Sequence, residues 1–309
     1  MSDDREGSSQ KPAKVNRAAI LLRRMRHRIT STNVRAPIVW WRHRGFRPAD
    51  AILASYPRSG STWFRFTLFE ILTGKPSSFE DVNSALRGLK DHRHGWPLLP
   101  GDGRLIGTHE PYRAAYTKAI YMVRDVRDVA LSEFAFEKNL GIGRRDLNAH
   151  LKDMLVSGKR HGTWPHHVKS WLDSPLASNG KLLLIRYEDL RRDGPETLMK
   201  VADFLGVPTT RGAVEAAIAN NNIQKMREKE DRLYKQENYS SVPRMPQRGV
   251  ESGGRFVRSG KTGGWQEKLN HEQMKFVEKH TSDLLRRLDY PIVTSEEAAK
   301  AAPVAVQVG

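Results

Sequence analysis

The chain has 309 residues, 52 Lys and Arg against 35 Asp and Glu, a formal charge of +17, 38% hydrophobic residues and no cysteine. That balance excludes global disorder and leaves room for one large core or two small ones. It also excludes disulfides, zinc–thiolate sites and cysteine nucleophiles, and it suits a reducing compartment.

The charge is uneven. Eleven Lys and Arg lie between Lys11 and Arg47, with no Asp or Glu among them. Residues 1–48 therefore read as a basic, partly disordered leader. Its simplest reading is a solvated tail; the sharper one is weak contact with an anionic membrane or polyanion. "AILLRRMRHRI" (19–29) fits a short basic amphipathic helix lying on a membrane face. Trp40 and Trp41 are expected to pack on the body. No run approaches the roughly twenty apolar residues of a membrane span. "AAILLRRM" is too short and too interrupted for a secretory segment. The expected location is cytoplasmic, with membrane contact at most peripheral.

Along the chain, "ADAILASY" (49–56) reads as a short strand covered on both faces, since its apolar run does not alternate. "STWFRFTLFEILTG" (61–74) reads as a helix closed by Gly74. Residues 75–103 read as loop. "RLIGTHEP" (104–111) and "KAIYMVRD" (118–125) read as strands with polar tips, the second followed by a helix from Val126. Residues 140–163 read as loop and helix, and "WPHHVKSWLDS" (164–174) as helix. "KLLLIRYEDL" (181–190) reads as a fourth strand, and residues 194–207 as an amphipathic helix with Pro195 near its start. Residues 208–235 read as charged helix, 243–266 as a basic Gly-rich loop and 271–290 as a last helix. No internal repeat is visible. Short strands alternating with longer helices predict an α/β fold of three layers with a mainly parallel sheet. One domain is expected over 49–292, with a flexible tail over 293–309. Ligands in such sheets sit beyond the strands' carboxyl ends, where Arg58-Ser59-Gly60, Thr108-His109 and Arg124-Asp125 all fall.

The first of these tips carries the clearest chemistry. A strand, a tight turn at Gly60 and a helix from Ser61 would aim free amide N–H groups at one point, as anion sites do. Arg58 adds a positive fork, and Ser59, Ser61 and Thr62 add hydroxyls. The stretch lacks GxxxxGK[ST] and that motif's hydroxyl ligand for magnesium. An ordinary strand-to-helix turn with a serine cap is the plainer alternative.

"SYPRSGSTW" (55–63) resembles the 5′-phosphosulfate loop of the sulfotransferases, which use 3′-phosphoadenosine 5′-phosphosulfate (PAPS) as donor and release PAP. Arg58 stands where that family usually has Lys. "AIYMVRDVRDVALSEF" (119–134) resembles the family's 3′-phosphate segment, which implies that Arg124 and Ser132 hold that phosphate. "GTHEP" (107–111) resembles the strand end bearing the catalytic histidine, which implies that His109 is the general base and Arg58 its catalytic partner on the bridging oxygen. Gly107 replaces the family's Lys there. "RFVRSGKTGGW" (255–265) resembles the segment that closes over the 3′-phosphate. Arg258, Ser259 and Gly260 are the matching residues, with Ser259 in place of a common Lys. Trp63, Tyr187 and Ile223 fall where relatives touch adenine.

The resemblance spans about residues 49–290 and implies a P-loop-like sulfotransferase fold and in-line sulfuryl transfer to a hydroxyl or amine. It implies no metal requirement and no nucleic-acid partner. A P-loop kinase or hydrolase and a non-enzymatic basic polyanion-binding protein are the alternatives. The acceptor pocket is expected from 75–103, 135–165 and 230–255, with Trp96, Phe136, Trp164 and Tyr239. These residues suit either a lipophilic alcohol or phenol, or an anionic glycan. Trp164 and Trp171 read as core, and His92, His94, His166 and His167 as solvated rather than metal-binding. The dimer-forming segment of cytosolic relatives is not visible after Trp265, which leaves the oligomeric state open.

Overall fold

In the computed structural model, which describes residues 36–139, 146–158, 161–235, 257 and 260–293, four short apolar segments form one sheet. They are β1 (Ala51–Ser55), β2 (Leu105–Thr108), β3 (Ala119–Val123) and β4 (Leu182–Arg186). Their order across the sheet is β2-β1-β3-β4, and every pair is parallel, with Ile52 level with both Ile106 and Ala119. All four carboxyl ends therefore point the same way.

The pleat explains why the strands show no polar alternation. Ala51, Leu53, Leu105, Ile120, Met122 and Ile185 enter one core, while Ile52, Ala54, Ile106, Ala119, Tyr121 and Val123 enter another. β1 and β3 are apolar on both sides because both sides are covered, whereas the edge strand β4 leaves Leu184 exposed. On the first face lie α2 (Ser61–Thr73), α3 (Phe79–Ala85), α9 (Gly194–Leu205), α10 (Arg211–Asn220) and α11 (Ile223–Tyr234). On the second lie α4 (Val126–Asn139), α5 (Leu147–Lys152) with a wide turn over Asp153–Ser157, α6 (Trp164–Leu172), α7 (Pro175–Ser178) and α12 (His271–Arg287). The predicted three layers are present. Trp164 and Trp171, read as core, are fully buried, each stabilising the second face by about 4–6 kcal/mol of apolar burial.

Several expectations need correction. Residues 75–103 are not all loop: Ser78 Oγ accepts the Asp81 N–H at 3.0 Å and caps α3. The fourth strand stops at Arg186, and Tyr187–Arg192 form a short helix, α8. Glu188 and Asp189 suit its first turn, where carboxylates meet the positive end of the helix. The 208–235 stretch is helical as expected, in two helices separated where Asn222 Oδ1 accepts the Lys225 N–H at 2.9 Å. Trp40 and Trp41 lie on α1 (Ala36–Arg42) and are 62% and 55% exposed, not packed on the body. His92 and His167 are buried rather than solvated, whereas His94 and His166 are exposed. The amphipathic stretch 19–29, Tyr239, Arg258, Ser259, residues 243–256 of the Gly-rich loop and the tail from 294 lie outside the described residues.

Candidate active site

The β1–α2 turn is built to leave donors open. Gly60 occupies the cap position of α2 at φ 97°, and no side chain caps the first turn. The amides of Ser61, Thr62 and Trp63 therefore face outward as a cluster of positive dipole ends. Arg58 sits in the left-handed region at φ 66°, a conformation that costs a non-glycine residue about 1 kcal/mol or more. Ser59 is fully buried, and its Oγ has no hydrogen-bond partner among the described residues.

The β3–α4 turn meets this one directly. Arg124 Nη1–H donates to the Arg58 carbonyl at 3.4 Å, and Arg58 Nε–H donates to Ser132 Oγ at 3.3 Å. Ser132 lies nearly two turns into α4, which carries it back over the β1–α2 turn. The Arg124 guanidinium stands 4.7 Å from the Tyr187 ring centre and pairs with Asp128 at 3.6 Å. Its Nε is buried without a hydrogen-bond partner among the described residues. The Arg124–Asp128 pair lies inside the site rather than on the surface. Arg127, not Arg124, grips Asp125.

The C-terminal segment closes on the same spot. Arg124 Nη2–H donates to the Lys261 carbonyl at 2.8 Å, and Tyr187 O–H donates to the Gly260 carbonyl at 3.0 Å. Asp128 accepts the N–H groups of Gly263 and Trp265 at 2.8 and 3.2 Å. Burial pushes the Asp128 carboxyl up, against the opposing pull of Arg124. Arg127 lies 3.8 Å from the Trp265 ring centre and also pairs with Glu278. Arg191 lies 5.5 Å from the ring centre of Trp63.

His109 follows β2 on the opposite side of β1. Its Nδ1–H donates to the Ser55 carbonyl at 2.8 Å. A carbonyl can only accept, so the neutral ring carries its proton on Nδ1 and its lone pair on Nε2. Gly107, where the resemblance expects lysine, bonds its N–H to the Arg87 carbonyl at 2.9 Å.

A family model for the sulfotransferase domain matches residues 48–289. The chain belongs to the sulfotransferase family. This sulfotransferase is 26% identical over 247 residues to mouse sulfotransferase 2A6, covering 76% of this chain and 83% of that one. It is 26% identical over 254 residues to flavonol 3-sulfotransferase of Flaveria bidentis, covering 75% and 80%. Its fold is similar to mouse sulfotransferase SULT7A1 complexed with PAP, with a TM-score of 0.60, 19% identity and coverage of 86% and 92%. It is equally similar, at 0.60 and 22% identity, to retinol dehydratase in a complex with retinol and PAP, covering 80% and 84%.

Of the residues expected in the site of this sulfotransferase, Arg58, Ser59, Gly60, Ser61, Thr62, Trp63, Arg124, Ser132, Tyr187 and Gly260 gather beyond the carboxyl ends of β1, β3 and β4, with His109 beside them after β2. Arg258 and Ser259 are not among the described residues. Sequence reasoning missed that the two oxygens of Asp128 hold the closing segment, a contact across more than 130 residues. It also missed Asn222 as a helix cap and the helix that carries Tyr187. Among the described residues no helix is long and apolar enough to cross a membrane.

Proposed function

We propose that this sulfotransferase moves the sulfuryl group of PAPS in line to a hydroxyl or amine of a small-molecule or glycan acceptor, with His109 as general base. The carrying observation is that the β1–α2 and β3–α4 turns touch, Arg124 donating to the Arg58 carbonyl, while Ser59 Oγ and Arg124 Nε are buried donors without hydrogen-bond partners among the described residues. Two such donors among outward amides and two guanidinium groups fit an adenosine nucleotide bearing an anion at each end. The PAP named with the two structural neighbours supports the same donor.

PAPS, when bound, supplies an activated sulfuryl group whose departure builds negative charge on the bridging oxygen. Arg58 offsets that charge, and the amides of residues 60–62 hold the 5′-phosphate; the Ser59 N–H donates to the Tyr56 carbonyl at 3.3 Å. Arg124, Ser132, Gly260 and, from the sequence, Arg258 and Ser259 hold the 3′-phosphate. Trp63 and Tyr187 flank the adenine. His109 Nε2 accepts the acceptor's proton. These charges do the electrostatic work that magnesium does in GxxxxGK[ST] loops, so the proposed reaction requires no metal. The transfer domain is taken as 49–292 and the location as cytoplasmic, with the basic leader and Trp40–Trp41 touching an anionic membrane.

Thermal shifts with PAP and with Mg-ATP test the reading: stabilisation by PAP supports it, and stabilisation by Mg-ATP alone favours a kinase or hydrolase. A chain lacking residues 1–47 should keep its PAP affinity, whereas a polyanion-binding protein would lose binding with its leader. His109→Ala should keep PAP affinity and lose most turnover in a screen of acceptors with labelled PAPS.

A further inference from the structure

Helix α6 turns one face toward the segment that carries His109. Residues 167, 170 and 171 lie on that face, at the spacing that aligns side chains along a helix. His167 Nε2–H donates to the His109 carbonyl at 3.2 Å, and Trp171 Nε1–H donates to the Glu110 carbonyl at 3.3 Å. Ser170 Oγ accepts the Tyr112 N–H at 3.0 Å and donates to the His167 carbonyl at 2.7 Å. The intervening residue, Pro111, has no N–H to place. One helix face thus fixes the main chain on both sides of that proline.

His167 is itself held from every side. It is fully buried. Its Nε2 faces a carbonyl, so the proton sits there and Nδ1 accepts the Tyr121 O–H at 3.0 Å. Its ring meets Tyr56 edge-on at 5.4 Å and lies 5.7 Å from Tyr121. Tyr121 belongs to β3, and Tyr56 ends the β1 segment, so the imidazole is braced by the two central strands. A charge there would face two tyrosines, His109 and His166. Burial, and after it the neighbouring His109, lowers its pKa to about 3. The ring is therefore a donor of fixed polarity at working pH and not a proton shuttle.

We infer that His167 is a positioning residue for the transfer reaction: its Nε2–H anchors the His109 main chain so that the His109 ring keeps its Nδ1–H on Ser55 and its Nε2 lone pair toward the acceptor. The inference rests on His109 being the base. A buried histidine with two hydrogen bonds is ordinarily just satisfied packing. Here the group it grips belongs to the proposed base, and the next turn of the same helix grips the residues that follow.

The test uses the full chain and two variants. His167→Leu removes the donor; His167→Gln keeps an amide N–H where Nε2 stood. The primary readout is independent of turnover: long-range proton–nitrogen spectra of the His109 ring. Wild type and His167→Gln should show the single Nδ1–H form, and His167→Leu a mixture of both forms. PAP affinity should stay within about twofold in all three. Turnover with labelled PAPS and the acceptor screen should fall at least tenfold in His167→Leu and recover in His167→Gln. A single Nδ1–H form persisting in His167→Leu overturns the inference, as does equal loss of PAP affinity in both variants. Failure of the wild-type chain to bind PAP would instead overturn the functional reading, and the ring spectra would still report on His167.

Discussion

The Tyr187 ring lies so close over Gly60 that a Cβ at residue 60 would stand 2.5 Å from both Cδ2 and Cε2. Helix α8 brings that ring to the β1–α2 turn, and the turn has room for it only because residue 60 has no side chain. The same glycine supplies the positive φ that opens the first amides of α2. One residue therefore serves both the backbone of the anion turn and the seat of the aromatic wall.

Gly60→Ala should accordingly be costly twice. The backbone strain is about 1 kcal/mol, and displacing a buried aromatic ring adds about 1–3 kcal/mol. We expect a large fall in melting temperature and loss of PAP-induced stabilisation. Gly74→Ala is the control: its φ is 65°, but nothing lies within 4 Å of the added carbon. It should cost only about 1 kcal/mol and leave PAP binding intact. Equal effects of the two substitutions in thermal unfolding would remove the steric argument.

Arg124 is proposed to read the ribose-side phosphate, and it does so from a buried position braced by Asp128, Lys261 and Tyr187. Deleting a charged, hydrogen-bonded partner costs about 1.5–3 kcal/mol, or roughly 10–150-fold in affinity. Arg124→Ala should weaken PAP by that factor while hardly changing the binding of adenosine 5′-phosphate, which lacks the anion that Arg124 meets. Calorimetric titration with both nucleotides decides the matter. Equal weakening of both would mean that Arg124 holds the fold of the turn and not the phosphate.

The parts of this site that could be read in the sequence are the local ones. Residues 55–63 and 119–132 each run from strand to turn to helix without interruption, so spacing alone sets Ser59 beside the α2 amides and Ser132 on the same side as Arg124. Gly74 marks the end of α2 because a left-handed residue is needed there. Three features were hidden. The strand at 181–190 gives way to helix at Tyr187 with no glycine or proline to announce it. The short helix at 79–85 depends on one serine cap inside an apparently loop-like stretch. The placement of His167 under His109, 58 residues away, exists only once α6 packs on the sheet. Solvated histidine was the natural expectation from "PHH" because a helix buried on one face and exposed on the other puts His166 in water and His167 in the core.

His167 also predicts a pH dependence of stability. Its ordinary pKa is 6.5, and in the fold it is held near 3. As pH falls below 6.5 the unfolded chain takes up a proton that the folded chain refuses until about pH 3. The stability associated with the neutral ring is whole above 6.5 and is lost through that window, by up to about 1.4 kcal/mol per pH unit. His167→Gln removes the titrating group. Carboxylates such as Asp50 and Glu70 titrate in both proteins, so their contributions cancel in the difference. Between pH 6 and pH 4.5, urea unfolding should show a shallower loss of stability in the variant than in wild type. Parallel losses would mean that His167 is not held neutral.

The exposed pair Trp40 and Trp41 gives the leader a contact surface of its own. The Arg44 guanidinium lies 4.1 Å from the Trp40 ring centre and Arg93 lies 5.7 Å from that of Trp41. Open indoles with cations at their faces suit the boundary of an anionic bilayer, where the rings enter the headgroup layer and the charges meet lipid phosphates. The full chain should co-sediment with vesicles containing phosphatidylglycerol and not with pure phosphatidylcholine, and salt should release it. Lipids with brominated acyl chains should quench its fluorescence. Trp164 and Trp171 are fully buried, so quenching that disappears in the double variant Trp40→Ala, Trp41→Ala would be assigned to the pair. The variant should bind PAP as wild type does. Undiminished quenching in the double variant would move the contact elsewhere, and release by salt with no quenching at all would reduce the pair to bystanders of a purely electrostatic attraction.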